Sequence, residues 1–262
     1  MAEPLYSLKE IYYSYPGVIE ALNGVTLRIG AGQRTAIIGA NGTGKSTLLA
    51  MLDGLIFPQR GAIHFDGRAL TQTGMNDPLF QLRFRKRVGF VFQNPDIQLF
   101  CPSVRDDILF GPLQLGVPMD EIKRRFDAVV DRVRLRPLLE RSPHQLSIGE
   151  KKKVAIAGVL AIEPDVLLLD EPTAGLDPQT TRDVIAILAD AHHSGRTVVM
   201  ATHDLHVVEE IADVVHVMGE NRTIIRSGGP EEILADQQFL QQHNLEHVHV
   251  HRHLHTHHLH SH

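Results

Sequence analysis

The stretch Gly39-Ala-Asn-Gly-Thr-Gly-Lys-Ser46 has the spacing G-x-x-x-x-G-K-[ST] and lies between the apolar runs Thr35-Ala-Ile-Ile38 and Thr47-Leu-Leu-Ala-Met-Leu52. A strand that turns into a helix is predicted there, which is the context this spacing needs. Gly39, Gly42 and Gly44 tolerate positive φ and carry no Cβ, so consecutive backbone N–H groups can converge on phosphate oxygens. A helix starting near Lys45 adds the positive end of its dipole. Lys45 is then expected to reach the β- and γ-phosphates of a nucleotide, with the Ser46 hydroxyl a ligand for Mg²⁺. Asn41, Thr43 and Thr47, in or beside the loop, belong to the same candidate site.

Composition bounds the rest. A chain of 262 residues can form one large domain, or one domain with an inserted subdomain. No apolar run approaches the roughly 20 residues needed to cross a bilayer. The start, Met1-Ala-Glu-Pro-Leu-Tyr6, lacks the pattern of a signal peptide, so the chain is expected in the cytosol or on the cytosolic face of a membrane. The single cysteine, Cys101, excludes an internal disulfide framework and is given no role. A net charge of −5 argues against generic nucleic-acid binding.

Outward from the loop, Tyr6 to Tyr15 and Gly24 to Ile29 read as strands of an antiparallel β-flap. Tyr15 stands at its mouth, where its ring can stack on a base or pack under the flap. Gly61 to Gly67 reads as a hairpin, and the basic run Arg83-Phe-Arg-Lys-Arg-Val88 as a solvated face rather than a phosphate contact. Val88-Gly-Phe-Val-Phe92 is a short buried strand ending at Gln93, and ligands of open α/β sheets bind outside such carboxyl ends. Gln93 is placed to reach Mg²⁺ or an attacking water. From Asn94 to about Gln145 prolines and a helical period from Asp120 to Leu139 predict a mostly helical insert. Its edge, Ile97, Leu99, Phe100 and Phe110, is either a partner surface or internal packing.

Leu146-Ser-Ile-Gly-Glu150 opens a helix through Ala157, with Ser147 as N-cap and Gly149 exposing backbone N–H groups, a second anion site. Val166-Leu-Leu-Leu-Asp-Glu171 is an unbroken apolar strand ending in two carboxylates. Alternation along the strand points the two acids different ways, so Asp170 can hold Mg²⁺ while Glu171 faces the water that attacks the γ-phosphate. Thr173-Ala-Gly-Leu-Asp177 precedes a further helix. The strand Thr197 to Ala201 ends at Thr202-His203, where His203 can bond the γ-phosphate or the water. Val214 to Met218 and Arg222 to Arg226 close the sheet.

With these residues in view, the chain resembles the ATP-binding-cassette ATPases over about residues 5–235. The order of motifs carries the resemblance: phosphate loop (Gly39 to Ser46), Q-loop (Gln93), signature (Leu146 to Glu150), Walker B (Val166 to Glu171), D-loop (Ala174 to Asp177) and switch histidine (His203). It implies an α/β P-loop fold: a mostly parallel core sheet, an antiparallel β subdomain and an inserted helical subdomain. The expected segments are 1–93 (β subdomain and first part of the core), 94–150 (helical subdomain with the signature), 151–235 (second part of the core) and 236–262 (a His-rich tail). The resemblance implies ATP and Mg²⁺ as ligands, Glu171 as general base, and Lys45, Gln93 and His203 beside it. It also implies a homodimer closed head to tail over two ATPs, in which Ser147 and Gly149 touch the γ-phosphate held by the partner and Asp177 reaches across. The signature departs from the usual Leu-Ser-Gly-Gly-Gln by Ile148, which adds a branched side chain, and Glu150, which puts a carboxylate near phosphate.

The run from Phe92 to Phe100, continuing through Ser103 to Pro112, is similar to the ATPases of energy-coupling-factor importers. That similarity implies a transmembrane coupling subunit, met by residues 93–112, and a peripheral place on the cytoplasmic face of the inner membrane. His243, His247, His249, His251, His253, His255, His257, His258, His260 and His262 crowd the end of the chain. Imidazole suits Ni²⁺, Co²⁺, Zn²⁺ and Cu²⁺, so with the importer-like loop this tail suggests cobalt or nickel uptake and metal-specific membrane subunits of the CbiO/NikO type. The affinity order does not separate cobalt from nickel, and a merely solubilising tail is the competing reading. Three rivals stand beside this one: an importer ATPase for another substrate, a small-molecule kinase, and a soluble ABC ATPase that remodels DNA or ribosomes. The kinase shares the phosphate loop but does not explain Leu146 to Glu150 or Asp177, and the soluble ABC ATPase usually carries coiled-coil inserts or tandem cassettes, which this chain lacks.

Overall fold

The computed structural model describes residues 3–17 and 19–245. The polypeptide begins with an antiparallel pair, β1 (Tyr6–Tyr15) and β2 (Ile19–Ile29), then enters the central strand β3 (Arg34–Ile38) and helix α1 (Lys45–Leu52). It returns to the flap with β4 (Arg60–Phe65) and β5 (Arg68–Ala69), then forms α2 (Gln72–Met75), α3 (Pro78–Arg87) and β6 (Val88–Val91). The helical insert supplies α4 (Val104–Gln114) and α5 (Met119–Val133), and α6 (Ile148–Leu160) leads back to β7 (Val166–Asp170). Then follow α7 (Pro178–His193), β8 (Thr197–Thr202), α8 (Leu205–Ile211), β9 (Val214–Met218) and β10 (Ile224–Gly228), with α9 (Pro230–Leu234) and α10 (Gln237–Gln242) at the end.

Two sheets result. The flap has the order β2-β1-β4-β5 and is antiparallel; the core has the order β10-β9-β3-β8-β7-β6 and is parallel except for β10. In the core β3, β7 and β8 are buried along their length apart from Arg34, as the continuous apolar runs require of a sheet covered on both faces. One apolar core joins the second half of the sheet to the insert through Ile108, Val130, Val154 and Val184. The other fills the space between flap, α1, α3 and the opposite face of the sheet. Because β3, β6, β7 and β8 run in register and in parallel, their carboxyl ends lie side by side. Gly39, Phe92, Glu171 and His203 follow within a residue of those ends.

Several local expectations are corrected. The second strand begins at Ile19 rather than Gly24, the last core strand runs two residues later than Arg222 to Arg226, and α5 ends at Val133, with Leu138 in a 3-10 turn beyond it. A glycine turn alone did not break β2, because its pairing with β1 spans the bulge there. The basic run is only half solvated. Arg85 pairs with the buried Asp53 at 2.7 Å, and Arg87 pairs with Asp66 and Asp165, each at 2.6 Å. Leu99 is buried, whereas Ile97, Phe100 and Phe110 are exposed.

The expected boundary at residue 236 also moves. α10 packs on the core, with Leu240 and Leu245 buried in it, and Asp236 accepts from Arg226 at 2.7 Å. Of the histidines noted in the tail, His243 stacks against Phe239 at 4.7 Å and the remainder lie outside the described residues. A chain ended after Leu245 should therefore melt with the full-length protein. One ended after residue 235 loses both leucines and should be destabilised by about 2–5 kcal/mol, which thermal unfolding of the two truncations will measure.

Candidate active site

The cleft between flap and core, with a volume of about 470 Å³, is lined by Tyr15 from the flap, Asn41, Gly42, Lys45 and Ser46 from the loop before α1, and Gln93 and Glu171 from the strand ends. The loop keeps its shape for local reasons. Gly44 sits at φ 103°, and a Cβ there would run into the carbonyl oxygen of Ala21. Thr43, buried beneath the loop, donates its hydroxyl to the Ala40 carbonyl at 2.9 Å. Lys45 folds back over the loop and donates to the carbonyls of Gly39 (2.7 Å) and Ala40 (3.2 Å). Burial lowers the Lys45 pKa, and the charges of Glu171 and Asp170 work against that.

At the end of β7 the two acids take different hydrogen-bond partners. Glu171 sits at φ 44°, a left-handed conformation costing a side-chain-bearing residue about 1 kcal/mol, and its N–H bonds the Ala201 carbonyl at 2.9 Å. Its Oε1 lies 2.9 Å from His203 Nδ1 and 3.9 Å from Lys45 Nζ, so the carboxylate is oriented from two sides. Asp170 bonds the Ser46 hydroxyl while its Oδ1 is buried with no hydrogen-bond partner. Burial raises the Asp170 pKa, the Ser46 bond lowers it, and the neighbouring Glu171 raises it further. A buried carboxylate oxygen with a free lone pair, beside an exposed hydroxyl and an exposed amide at Gln93, is the donor set of a hard divalent cation. The residues present thus fit Mg²⁺. Among the described residues no group of three His, Cys, Asp or Glu side chains could hold a transition metal.

Tyr15 is 40% exposed and lines the cleft, its ring at right angles to that of Tyr13 and its hydroxyl 3.3 Å from Thr47 Oγ1. Ser147, Gly149 and Asp177 do not line this cleft. They form a second group where the starts of α6 and α7 meet. Asp177 caps α7 through the N–H groups of Gln179 (2.9 Å) and Thr180 (3.0 Å), and these bonds with the Thr180 hydroxyl keep its pKa low. Gly149 is buried rather than exposed as expected: a Cβ would lie 2.9 Å from Thr180 Cγ2, so the glycine permits α6 to approach α7. Ser147 caps α6, and the Glu150 carboxylate accepts from both its N–H (2.8 Å) and its hydroxyl (2.9 Å). Those bonds hold the Glu150 pKa low. Ile148 next to it is 52% exposed.

One residue of the site escaped the sequence. Lys152, within the run Lys151-Lys-Lys153, is 1% exposed and donates to the carbonyls of Gln93 (2.6 Å) and Phe92 (3.2 Å). Burial lowers its pKa to about 8 against the pull of Asp170 and Glu171. Its neighbours pair outward, Lys151 with Asp96 and Lys153 with Asp183. The available signal was the spacing Gly149, Lys152, Ile156, Val159, which puts residue 152 on the buried face of the helix. Arg222 and Glu20, 3.9 Å apart, also line the cleft and went unremarked.

This geometry belongs to a known class of phosphate-transfer machine. Residues 22–174 match the family model described as ABC transporter, and the chain belongs to that family, as an ATP-hydrolysing transporter subunit. It is 49% identical over 245 residues to the nickel import ATP-binding protein NikO of Rhodobacter capsulatus, covering 92% of this chain and 96% of that one. It is 41% identical over 241 residues to the energy-coupling factor transporter ATP-binding protein EcfA of Methanothermobacter thermautotrophicus, covering 92% and 76%. Among solved structures it is similar to CbiO1 from Clostridium perfringens, described as part of the ABC transporter complex CbiONQ, with a TM-score of 0.79, 38% identity and coverage of 94% and 96%. The expected α/β P-loop architecture is thereby borne out.

Replacing Lys45 by Ala removes the charge-assisted bonds available to phosphate and should weaken nucleotide binding about 100-fold, or about 2.7 kcal/mol. Titration with labelled ATP measures it.

Proposed function

We propose that this chain powers an energy-coupling-factor importer of nickel or cobalt ions, working as a homodimer on the cytoplasmic face of the membrane beneath a transmembrane coupling subunit. The observation that carries the hydrolytic part is the Glu171 carboxylate held between His203 and Lys45 at the mouth of the phosphate loop. In the reaction a water oxygen attacks the γ-phosphorus, the bond to the ADP oxygen breaks, and Glu171 takes the proton of the water. His203 holds the Glu171 carboxylate in position and Gln93 orients the water. Lys45 moves from the Gly39 and Ala40 carbonyls to the β- and γ-phosphates. Ser46, Asp170 and Gln93 would hold Mg²⁺, which when bound would offset the negative charge on the phosphate oxygens. Tyr15 receives the base.

The dimer rests on the second group of residues. Ser147 and Asp177 sit at the exposed starts of α6 and α7, outside their own cleft, where they can meet the triphosphate of a second copy. Coupling to the membrane rests on an apolar groove of about 420 Å³ between core and insert, with Leu55, Phe92, Phe100 and Phe110 on its walls and the Asp53–Arg85 pair in its lining. Phe100 and Phe110 pack edge to face at 4.8 Å and are 65% and 40% exposed, a surface suited to an apolar helix of a partner. Among the described residues no helix is long and apolar enough to cross a membrane, so translocation falls to other subunits. The metal cargo rests on the similarity to NikO and CbiO1 and on the histidines of residues 243–262. Accumulation of radioactive nickel against cobalt in cells carrying the whole operon tests it. Uptake of neither ion, with ATPase activity intact, would point to another cargo.

Glu171→Gln should lower hydrolysis at least 1,000-fold, leave ATP binding within about threefold, and trap a paired species on size exclusion. In that background Glu150→Gln keeps an acceptor for Ser147 and removes a charge facing the partner's phosphate. The ATP concentration that half-assembles the pair should then fall about tenfold, or 1.4 kcal/mol, as followed by light scattering.

A further inference from the structure

The search outside the hydrolytic centre returns most often to the interior of α6. An ammonium that is 1% exposed and has no carboxylate within salt-bridge distance among the described residues is an expensive thing to fold, since a charge of that size is normally buried only when paired. Lys152 meets two carbonyl oxygens instead, and both belong to the segment that carries Gln93. Two further bonds tie the same segment to the same helix. Gln98 accepts from the Phe92 N–H at 3.1 Å and donates to the Ala155 carbonyl at 3.3 Å, and Lys151 pairs with Asp96 at 2.7 Å. Of these ties only the Lys152 bond falls on the peptide of Gln93 itself.

At its other end α6 begins with Ser147, five residues away from Lys152 and in the same rigid helix, so a displacement of the start of α6 is carried to the Gln93 carbonyl with little loss. We propose that Lys152 is a positioning residue: it pins Gln93 to the signature helix, so that a phosphate seated at Ser147 sets the place of Gln93 in the same subunit's own cleft. The two hydrolytic sites of a pair are then coupled through each subunit's α6, and occupancy of one site prepares the other. This rests on the reading of Ser147 as a contact to the nucleotide of a second copy.

Lys152→Met tests it in the full-length protein, because methionine matches the lysine stem in volume and removes the ammonium. The substitution relieves the burial of a charge but leaves the carbonyls of Phe92 and Gln93 without their donor, two effects of opposite sign on stability. The expected result is a folded protein with a cooperative melt, ATP affinity within about threefold of wild type, kcat lowered tenfold or more, and a Hill coefficient for ATP falling towards 1. Lys152→Arg retains a cation that donates to carbonyls and should recover at least half of the kcat and the cooperativity. Equal kcat and Hill coefficient in the Met and Arg variants, whether high or low, would overturn the proposal, as would a loss of activity that only follows a loss of Tm. The two levels of the reading fail separately. If wild-type protein hydrolyses ATP with a Hill coefficient of 1 at every dilution, the paired assembly is wrong. If wild type is cooperative and Lys152→Met is equally so, only the role of Lys152 is wrong.

Discussion

Four buried charges gathered at the carboxyl end of β7 constrain everything else. Asp170 and Glu171 are both held out of water there, where burial and then the neighbouring charge of Glu171 raise the pKa of Asp170, and Lys45 and Lys152 approach them from α1 and α6. None of the four is affordable alone in a medium of low dielectric constant. Lys45 can be there because the loop before α1 turns two carbonyls inward, and Lys152 because the end of β6 does the same. The strained backbone of Glu171 is kept by its bond to Ala201 on the adjacent strand. Register between β7 and β8 is thus a condition of the chemistry as well as of the sheet.

The same strand ends explain why the functional parts come from distant segments. Parallel strands joined by helices bring their carboxyl ends to one edge, so the residues after β3, β6, β7 and β8 meet although they are spread over more than half of the chain. The helical insert hangs from this edge between Gln93 and α6. It is tied back by the part-buried bonds of Lys152 and Gln98, and Phe92 and Gln98 of the same segment line its aromatic groove.

The signature departures acquire a physical meaning in this frame. Glu150 is a resident anion at the start of α6, holding both donors of Ser147. It stabilises the free helix end by the ordinary reciprocal cap and competes there with any incoming phosphate. Ile148 adds an exposed apolar side chain beside it.

The phosphate loop, the strand ending in Asp170 and Glu171, and the alternation of apolar strands with helices were legible because each depends on local chemistry: a tight turn, a buried strand, a cap. The same local signals mark Tyr15, Asn41, Lys45, Ser46, Gln93 and Glu171, which line the cleft, but not Glu20 and Arg222, which line it too. What neighbours in space do to a residue was not legible. A run of three lysines reads as solvated until α6 is docked and one of the three faces inward. Arg85 and Arg87 read as a solvated face until Asp53, Asp66 and Asp165 are brought to them. Gly149 reads as an exposed donor until Thr180 closes on it, and Leu245 as part of a tail until the core receives it. Local sequence thus marked the candidate phosphate-binding groups and most of the strands and helices. Only the tertiary structure decided which charges are buried and what holds them there, because burial and pairing depend on segments the chain brings together from far apart.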